Sequence, residues 1–194
     1  MSPITHFLVG WAVSLPATLE RRDRALVVLA SVAPDLDGLV ALADLARGQP
    51  AESLDLWSRY HHVLAHNVTF ALVTAVACCL VSRRKVVVCG LAFLLVHLHF
   101  LCDVVGSRGP DGYQWPIPYF WPFSTSWQLA VRWQWAINAW SNIVFTIGLL
   151  ALTLYVAWAR GASPVGLFSV RADQLLLATL RQRFGSPTRH THER

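Results

Sequence analysis

The stretch Val86–Val105, VVVCGLAFLLVHLHFLCDVV, decides the fold. It matches the roughly 20 apolar residues that a helix needs to cross a bilayer. Near its end it carries His97-Leu98-His99-Phe100-Leu101-Cys102-Asp103. Residues four apart are neighbours on a helix surface, so His99 and Asp103 share a face while His97 points elsewhere. A carboxylate among Val, Leu, Phe and Cys is costly to bury alone and calls for a metal, a cationic partner or a polar cavity.

The whole chain fits this start. Of 194 residues, 55% are apolar and only 14% charged, and mean hydropathy is +0.44, outside the usual soluble range. The formal charge of +5 comes almost wholly from arginines in short clusters between apolar runs. That pattern points to membrane topology and away from nucleic acid as a partner. Cys78, Cys79, Cys89 and Cys102 sit inside apolar segments without a Cys-x-x-Cys pair, and read as buried free thiols. The start of the chain lacks a basic region ahead of its first apolar run, which reads as retained rather than as a cleaved leader.

In chain order, Ile4 to Leu19 is a first apolar helix, closed by Glu20-Arg21-Arg22-Asp23-Arg24. Ala25 to Ala43 is a second, broken at Ala33-Pro34-Asp35-Leu36-Asp37-Gly38, where Pro and Gly demand a kink or an unwound turn. A polar connection from Asp44 to Tyr60, with Arg47, Glu52, Asp55 and Arg59, leads to a third helix, Val63 to Ser82, headed by His61, His62, His66 and Asn67 and ended by Arg83-Arg84-Lys85. Val86–Val105 is the fourth. Gly106 to Ser126 is a stiff, aromatic-rich loop that lies over something. Trp127 to Trp140 is Trp-rich and suits a membrane interface, and Ile143 to Ala159 is the cleanest span. Residues 161–194 form a tail with an amphipathic helix at Ala172 to Phe184 and a disordered end holding Arg189, His190 and His192.

Alternating spans put the Arg21–Arg24 and Arg83–Lys85 groups and the tail on one side, which the positive-inside rule makes cytoplasmic. His6, Asp35, Asp37, His61 to His66, His99 and Asp103 then fall towards the opposite face. Ionisable residues inside a membrane normally face the bundle interior and pair with one another. Imidazole and carboxylate donors suit Zn, Mn or Fe, and an ion bound there can polarise an ester or phosphoryl oxygen and activate water.

Several elements resemble the LexA-binding, inner membrane-associated metal-dependent hydrolases: Thr5-His6, Ala33-Pro34-Asp35-Leu36-Asp37, His61-His62-Val63-Leu64-Ala65-His66-Asn67, His99-Phe100-Leu101-Cys102-Asp103 and Trp121-Pro122-Phe123-Ser124. They cover the first two thirds of the chain. The order His, Asp, His, then His-x-x-x-Asp is also similar to the ligand series of zinc-dependent phospholipase C. The resemblance implies a divalent metal, zinc, on His6, Asp35, His66, His99 and Asp103, as one or two ions because a second His-x-x-x-Glu element is missing after Asp103. It aligns His61 with the family's histidine, whereas bare helical spacing pairs His62 with His66; His61 is ranked ahead as ligand. The family pattern His-Arg-x-x-Thr-His-Ser is altered here to His62, Ala65 and Asn67 at the Arg, Thr and Ser places.

The sequence therefore predicts an all-α, multi-pass transmembrane helical bundle of about five spans with an outward-facing polar metal site. Residues 1–160 form the membrane-embedded domain, in a bacterial inner membrane with the C-terminus cytoplasmic. The expected function is metal-dependent hydrolysis of a phosphodiester or other ester at or near the bilayer, with a membrane lipid or lipid-like molecule as substrate. His6, Asp35, His61, His66, His99 and Asp103 are the expected ligands. Asp35, Asp37 and Asp103 are the candidate general bases, and His62, Asn67 and Arg108 stand behind them or against substrate. The alternative is a non-enzymatic metal-binding membrane protein or ion carrier, told from an enzyme by a closed, dry site without a cavity.

Overall fold

The structure, a computed structural model, describes residues 1–50, 54–109, 112 and 114–187. Glu52 and the predicted disordered end with Arg189, His190 and His192 lie outside those residues. The chain is mostly helical: α1 (Pro3–Ser14), α2 (Arg21–Ala30), a 3-10 segment Ala33–Val40, α3 (Ala41–Ala46), α4 (Asp55–Tyr60), α5 (Val68–Val81), α6 (Lys85–Gly106), α7 (Trp140–Arg160), a short 3-10 turn Pro164–Leu167, and α8 (Val170–Phe184). Two short strands, β1 (Ile117–Pro118) and β2 (Gln128–Leu129), pair antiparallel in the loop between α6 and α7. The Trp-rich stretch before Trp140 is thus β2 and turns.

Local chemistry sets the helix ends. Ser2 caps α1 by accepting from the Thr5 amide, with Pro3 in the first turn, where its missing N–H costs nothing. Asn67 caps α5 through Phe70 N at 2.8 Å and fixes its own side chain by donating to the Val63 and Leu64 carbonyls. The start of α6 is capped from another helix: the buried Asp23 carboxylate of α2 accepts from the Arg83 and Arg84 amides at 3.0 and 2.9 Å. Gly161 ends α7 in the left-handed conformation.

Helix α6 is the axis of the bundle, packed chiefly against α5 and α2, while α1 packs between α2 and α7. The apolar core runs through Val27, Ala30, Ala71, Ala75, Val88, Ala92, Leu95, Val96 and Phe100. Small residues let the helices approach closely. At Gly10 of α1, a Cβ would stand 2.2 Å from the Ser31 Oγ at the end of α2. Cys78 is buried and the other three cysteines are half-buried, all four free.

Helices α6 and α7 are long and apolar enough to cross a membrane; α2 with the Ala33–Ala46 segment makes a third span when that pair, bent by 49°, is taken as one. The bend falls at the Pro34 break. Helices α1 and α5, with 12 and 14 residues, are shorter than the roughly 20 that a full span takes. Leu72, Val76, Leu80, Leu94, Leu101 and Ile143 are all exposed, which is the surface of a protein solvated by lipid rather than water.

Candidate metal centre

Helix α6 brings His99 and Asp103 into the bundle one turn apart, both buried, with His99 Nε2 at 2.9 Å from Asp103 Oδ2. From α1 comes His6, whose Nε2 lies 3.2 Å from Asp103 Oδ1 and whose ring stacks on His99 at 3.7 Å between centroids. The 3-10 segment after Pro34 supplies Asp35 and Asp37, and the irregular turn between α4 and α5 supplies His61, His62 and His66.

Among the described residues, two groups could hold a metal ion: His6, Asp35, His99 and Asp103, and His62, His66 and Asp103. Within each group the ligand atoms lie within 4.8 Å of one another, and Asp103 belongs to both. His61 belongs to neither; its Nδ1 is bonded to Asp37 Oδ1 at 2.6 Å. Asp37 also receives His66 Nδ1 at 2.9 Å and the Ala65 amide at 3.2 Å, so it orients two imidazoles and the turn that carries them. Asn67 fixes the same turn as the cap of α5. Arg108 lines a separate cavity with Trp133, Trp135 and Trp140. His97 bonds Phe93 O and the Tyr119 hydroxyl.

The hydrogen-bonding pattern fits a cation. His99 Nδ1 lies 2.8 Å from the Ser31 carbonyl, an acceptor only, so that nitrogen carries the proton and Nε2 presents its lone pair. His66 Nδ1 faces the Asp37 carboxylate, which fixes the same tautomer and turns its Nε2 lone pair inward. Those two Nε2 atoms are 3.0 Å apart, and Asp103 Oδ2 stands 3.3 Å from His66. Three acceptors therefore converge on one point, and only positive charge reconciles them. The same demand shows in the turn: burial disfavours a charged His66, yet Asp103 and Asp37 hold its pKa up at about 9, so a proton on Nε2 meets there the demand that a metal ion would otherwise meet, while burial and His66 itself drive His62 well below the usual histidine range. His6 Nδ1, His62 Nδ1 and Asp35 Oδ2 are buried without hydrogen-bond partners.

Three supporting residues escaped the sequence reading. Ser31, through its carbonyl, sets the His99 tautomer, and its hydroxyl donates to His6 O. Ser107 donates to Asp103 Oδ1 at 2.6 Å, and the amino group of Met1 contacts the same carboxylate. Ser107 follows Asp103 by the spacing that joins His99 to Asp103, a signal that was there to be read. Trp115, from the loop after α6, lies 5.2 Å from the ring of His61 and 4.9 Å from that of His62, so the aromatic loop covers this side of the centre. His62 itself holds a left-handed backbone, φ 66°, which only Gly adopts freely.

Beside Asp35 and His61 lies a cavity of about 560 Å³ between the N-terminus of α1 and the first turns of α7. The donor set and the adjoining cavity together describe a site able to bind a divalent ion and admit a small molecule. No curated protein and no solved structure matches the chain significantly. The family model described as YdjM inner membrane protein matches residues 1–180, and the chain belongs to that inner membrane family.

Proposed function

We propose that the protein is a metal-dependent hydrolase of the inner membrane that cleaves a phosphodiester or other ester at or near the bilayer surface. The observation that carries this reading is the convergence of the His66 and His99 Nε2 lone pairs on Asp103, beside a cavity that reaches Asp35. His6, Asp35, His99 and Asp103 would hold one ion, zinc by its donor preference, and His62, His66 and Asp103 a second. Such an ion supplies Lewis acidity towards the ester or phosphoryl oxygen and activates water at neutral pH.

The chain's own groups divide the remaining work. Asp35 lines the cavity, has a buried oxygen without a hydrogen-bond partner, and in this reading accepts a proton from water. Asp37 has both oxygens committed to N–H donors and acts as a positioning residue. His61, held by Asp37 and stacked on Trp57, lines the same cavity as Asp35. Residues 1–160 make up the embedded unit in this reading, with several passes and the centre towards the outer face. The tail from residue 161 lies in the cytoplasm.

The test pairs metal content with turnover. Purified full-length protein, His99→Ala and Asp103→Ala are compared for bound zinc and for hydrolysis of bis(p-nitrophenyl) phosphate and p-nitrophenyl esters. Wild type is expected to carry zinc and turn over substrate, with both properties lost in the variants. A wild type without divalent metal, or equal metal in all three proteins, overturns the reading. Metal without turnover of any ester leaves a binding protein in place of an enzyme.

A further inference from the structure

The cavity beside Asp35 is lined by two groups of opposite character: Asp35 and His61, and the apolar Ile137, Ile143 and Ile147. Ile143 and Ile147 are one turn apart on α7, so they make a continuous strip, and they are 56% and 59% exposed. Between the two groups the polar donors of α7 are already committed, and Asn142 Oδ1 is buried without a partner. Thr146 Oγ1 pairs with Thr5 Oγ1 at 2.7 Å and with Asn142 O at 2.8 Å, while Asn142 Nδ2 donates to the Gly106, Ala136 and Ile137 carbonyls. The wall of α7 therefore offers a ligand mainly hydrocarbon, and Asp35, whose buried Oδ2 has no hydrogen-bond partner, stands on the polar side.

The apolar group is also exposed on the surface of the bundle. Helix α7 is a candidate span, and Trp140 at its first residue is 75% exposed, a side chain suited to the headgroup level. Ile143 and Ile147 follow one and two turns deeper, where acyl chains begin. The volume of about 560 Å³ lies inside the range of small-molecule sites.

We propose that this cavity is a lateral entry for a single-chain amphiphile of the membrane, whose ester or phosphodiester head reaches Asp35 and His61 while its alkyl chain lies along Ile143 and Ile147. The proposal names the substrate class for the hydrolase reading and rests on it for the fate of the head; occupancy of the cavity does not require turnover. The phosphorylated head alone, free in water, would lack the contact with α7 that selects the lipid.

A lysophosphatidylglycerol carrying a diazirine at the chain end is the probe. It is photolysed with the full-length protein in phosphatidylethanolamine–phosphatidylglycerol nanodiscs, and the labelled peptides are mapped by mass spectrometry. Label is expected to concentrate on residues 137–147 and the first residues of α1. Unlabelled lysophosphatidylglycerol competes and glycerol 1-phosphate does not. Ile147→Trp, at an exposed position, lowers labelling at least fivefold, and Ile143→Ser with Ile147→Ser does the same by removing the strip without adding bulk. Val144→Trp, on the same helix but outside this cavity, leaves labelling unchanged. Label spread evenly over the exposed faces of α6 and α7, equal loss in Val144→Trp, or competition by glycerol 1-phosphate overturns the proposal. Focused labelling in a protein that hydrolyses nothing keeps the lateral entry and discards the hydrolase. Turnover of bis(p-nitrophenyl) phosphate with diffuse labelling does the reverse.

Discussion

His66 Nε2 and His99 Nε2 lie 3.0 Å apart, while the second nitrogen of each ring is committed elsewhere, to Asp37 Oδ2 at 2.9 Å and to the Ser31 carbonyl at 2.8 Å. Two imidazoles, one from helix α6 and one from the turn before α5, are thus held with their lone pairs opposed. Each belongs to a different metal-capable group, and Asp103 joins the groups. The groups are therefore separable by mutation. His6→Ala is expected to remove metal from the first group, His62→Ala from the second, and Asp103→Ala from both. Elemental analysis of the four purified proteins checks this, and identical stoichiometry in His6→Ala and Asp103→Ala would exclude a shared carboxylate.

Asp37 touches no ligand-lone-pair directly, yet it sets the His66 tautomer and holds His61. Asp37→Asn keeps the volume and removes the charge. Loss of such an orienting carboxylate typically lowers metal affinity about 10–100-fold. A chelator-competition titration should place Asp37→Asn in that range with its helical content unchanged, whereas wild-type affinity in the variant would reduce Asp37 to a structural cap.

His62 stores backbone strain of about 1 kcal/mol in its left-handed conformation and points a buried ring at Asp103, 3.8 Å away. His62→Gly releases the strain and deletes the ring. It should leave the protein at least as stable to heat as His62→Ala, which keeps the strain, while both lose metal equally. If His62→Gly melts lower than His62→Ala, the left-handed backbone is not strained, and if both variants keep their metal, the ring is there for packing rather than for binding.

Gly10 is set by the crossing of α1 and α2, since a Cβ there meets the Ser31 Oγ and Cβ at 2.2 and 2.8 Å. Gly10→Ala has to push Ser31 aside, at a cost of about 1–3 kcal/mol for an overpacked contact. Because the Ser31 carbonyl holds His99, the same change should weaken metal binding although it lies outside both groups. Thermal denaturation followed by circular dichroism, with metal titration alongside, separates the two effects.

The long elements were legible because apolar length is a strong signal: the expected Val86–Val105 and Ile143–Ala159 runs are α6 and α7 to within a few residues at each end. The break at Ala33-Pro34-Asp35 was legible too, since proline cannot donate the hydrogen bond that would carry α2 onward. What the sequence could not give was the turn before α5. The apolar run from Val63 predicts a helix from that point, but α5 begins at Val68, because Asn67 caps it there and Asp37 captures the Ala65 amide. Those are tertiary contacts, invisible to local pattern. They also separate the two adjacent histidines, sending His61 to Asp37 and His62 towards Asp103. Helical spacing paired His62 with His66 from the start; the resemblance favoured His61.

Helix α6 is fixed at both ends by other helices: Asp23 of α2 grips its first amides, and Asn142 of α7 binds the Gly106 carbonyl at its last residue at 2.8 Å. A rod clamped at both ends cannot turn about its own axis. Each residue of an α-helix advances the side-chain direction by about 100°, so one amino acid inserted in the apolar first half would swing His99 and Asp103 out of register with His6 and His66, unless the helix bulged to absorb it. The first three turns of α6, apolar and without any chemistry of their own, therefore act as a ruler: their residue count sets the angular phase at which the centre closes.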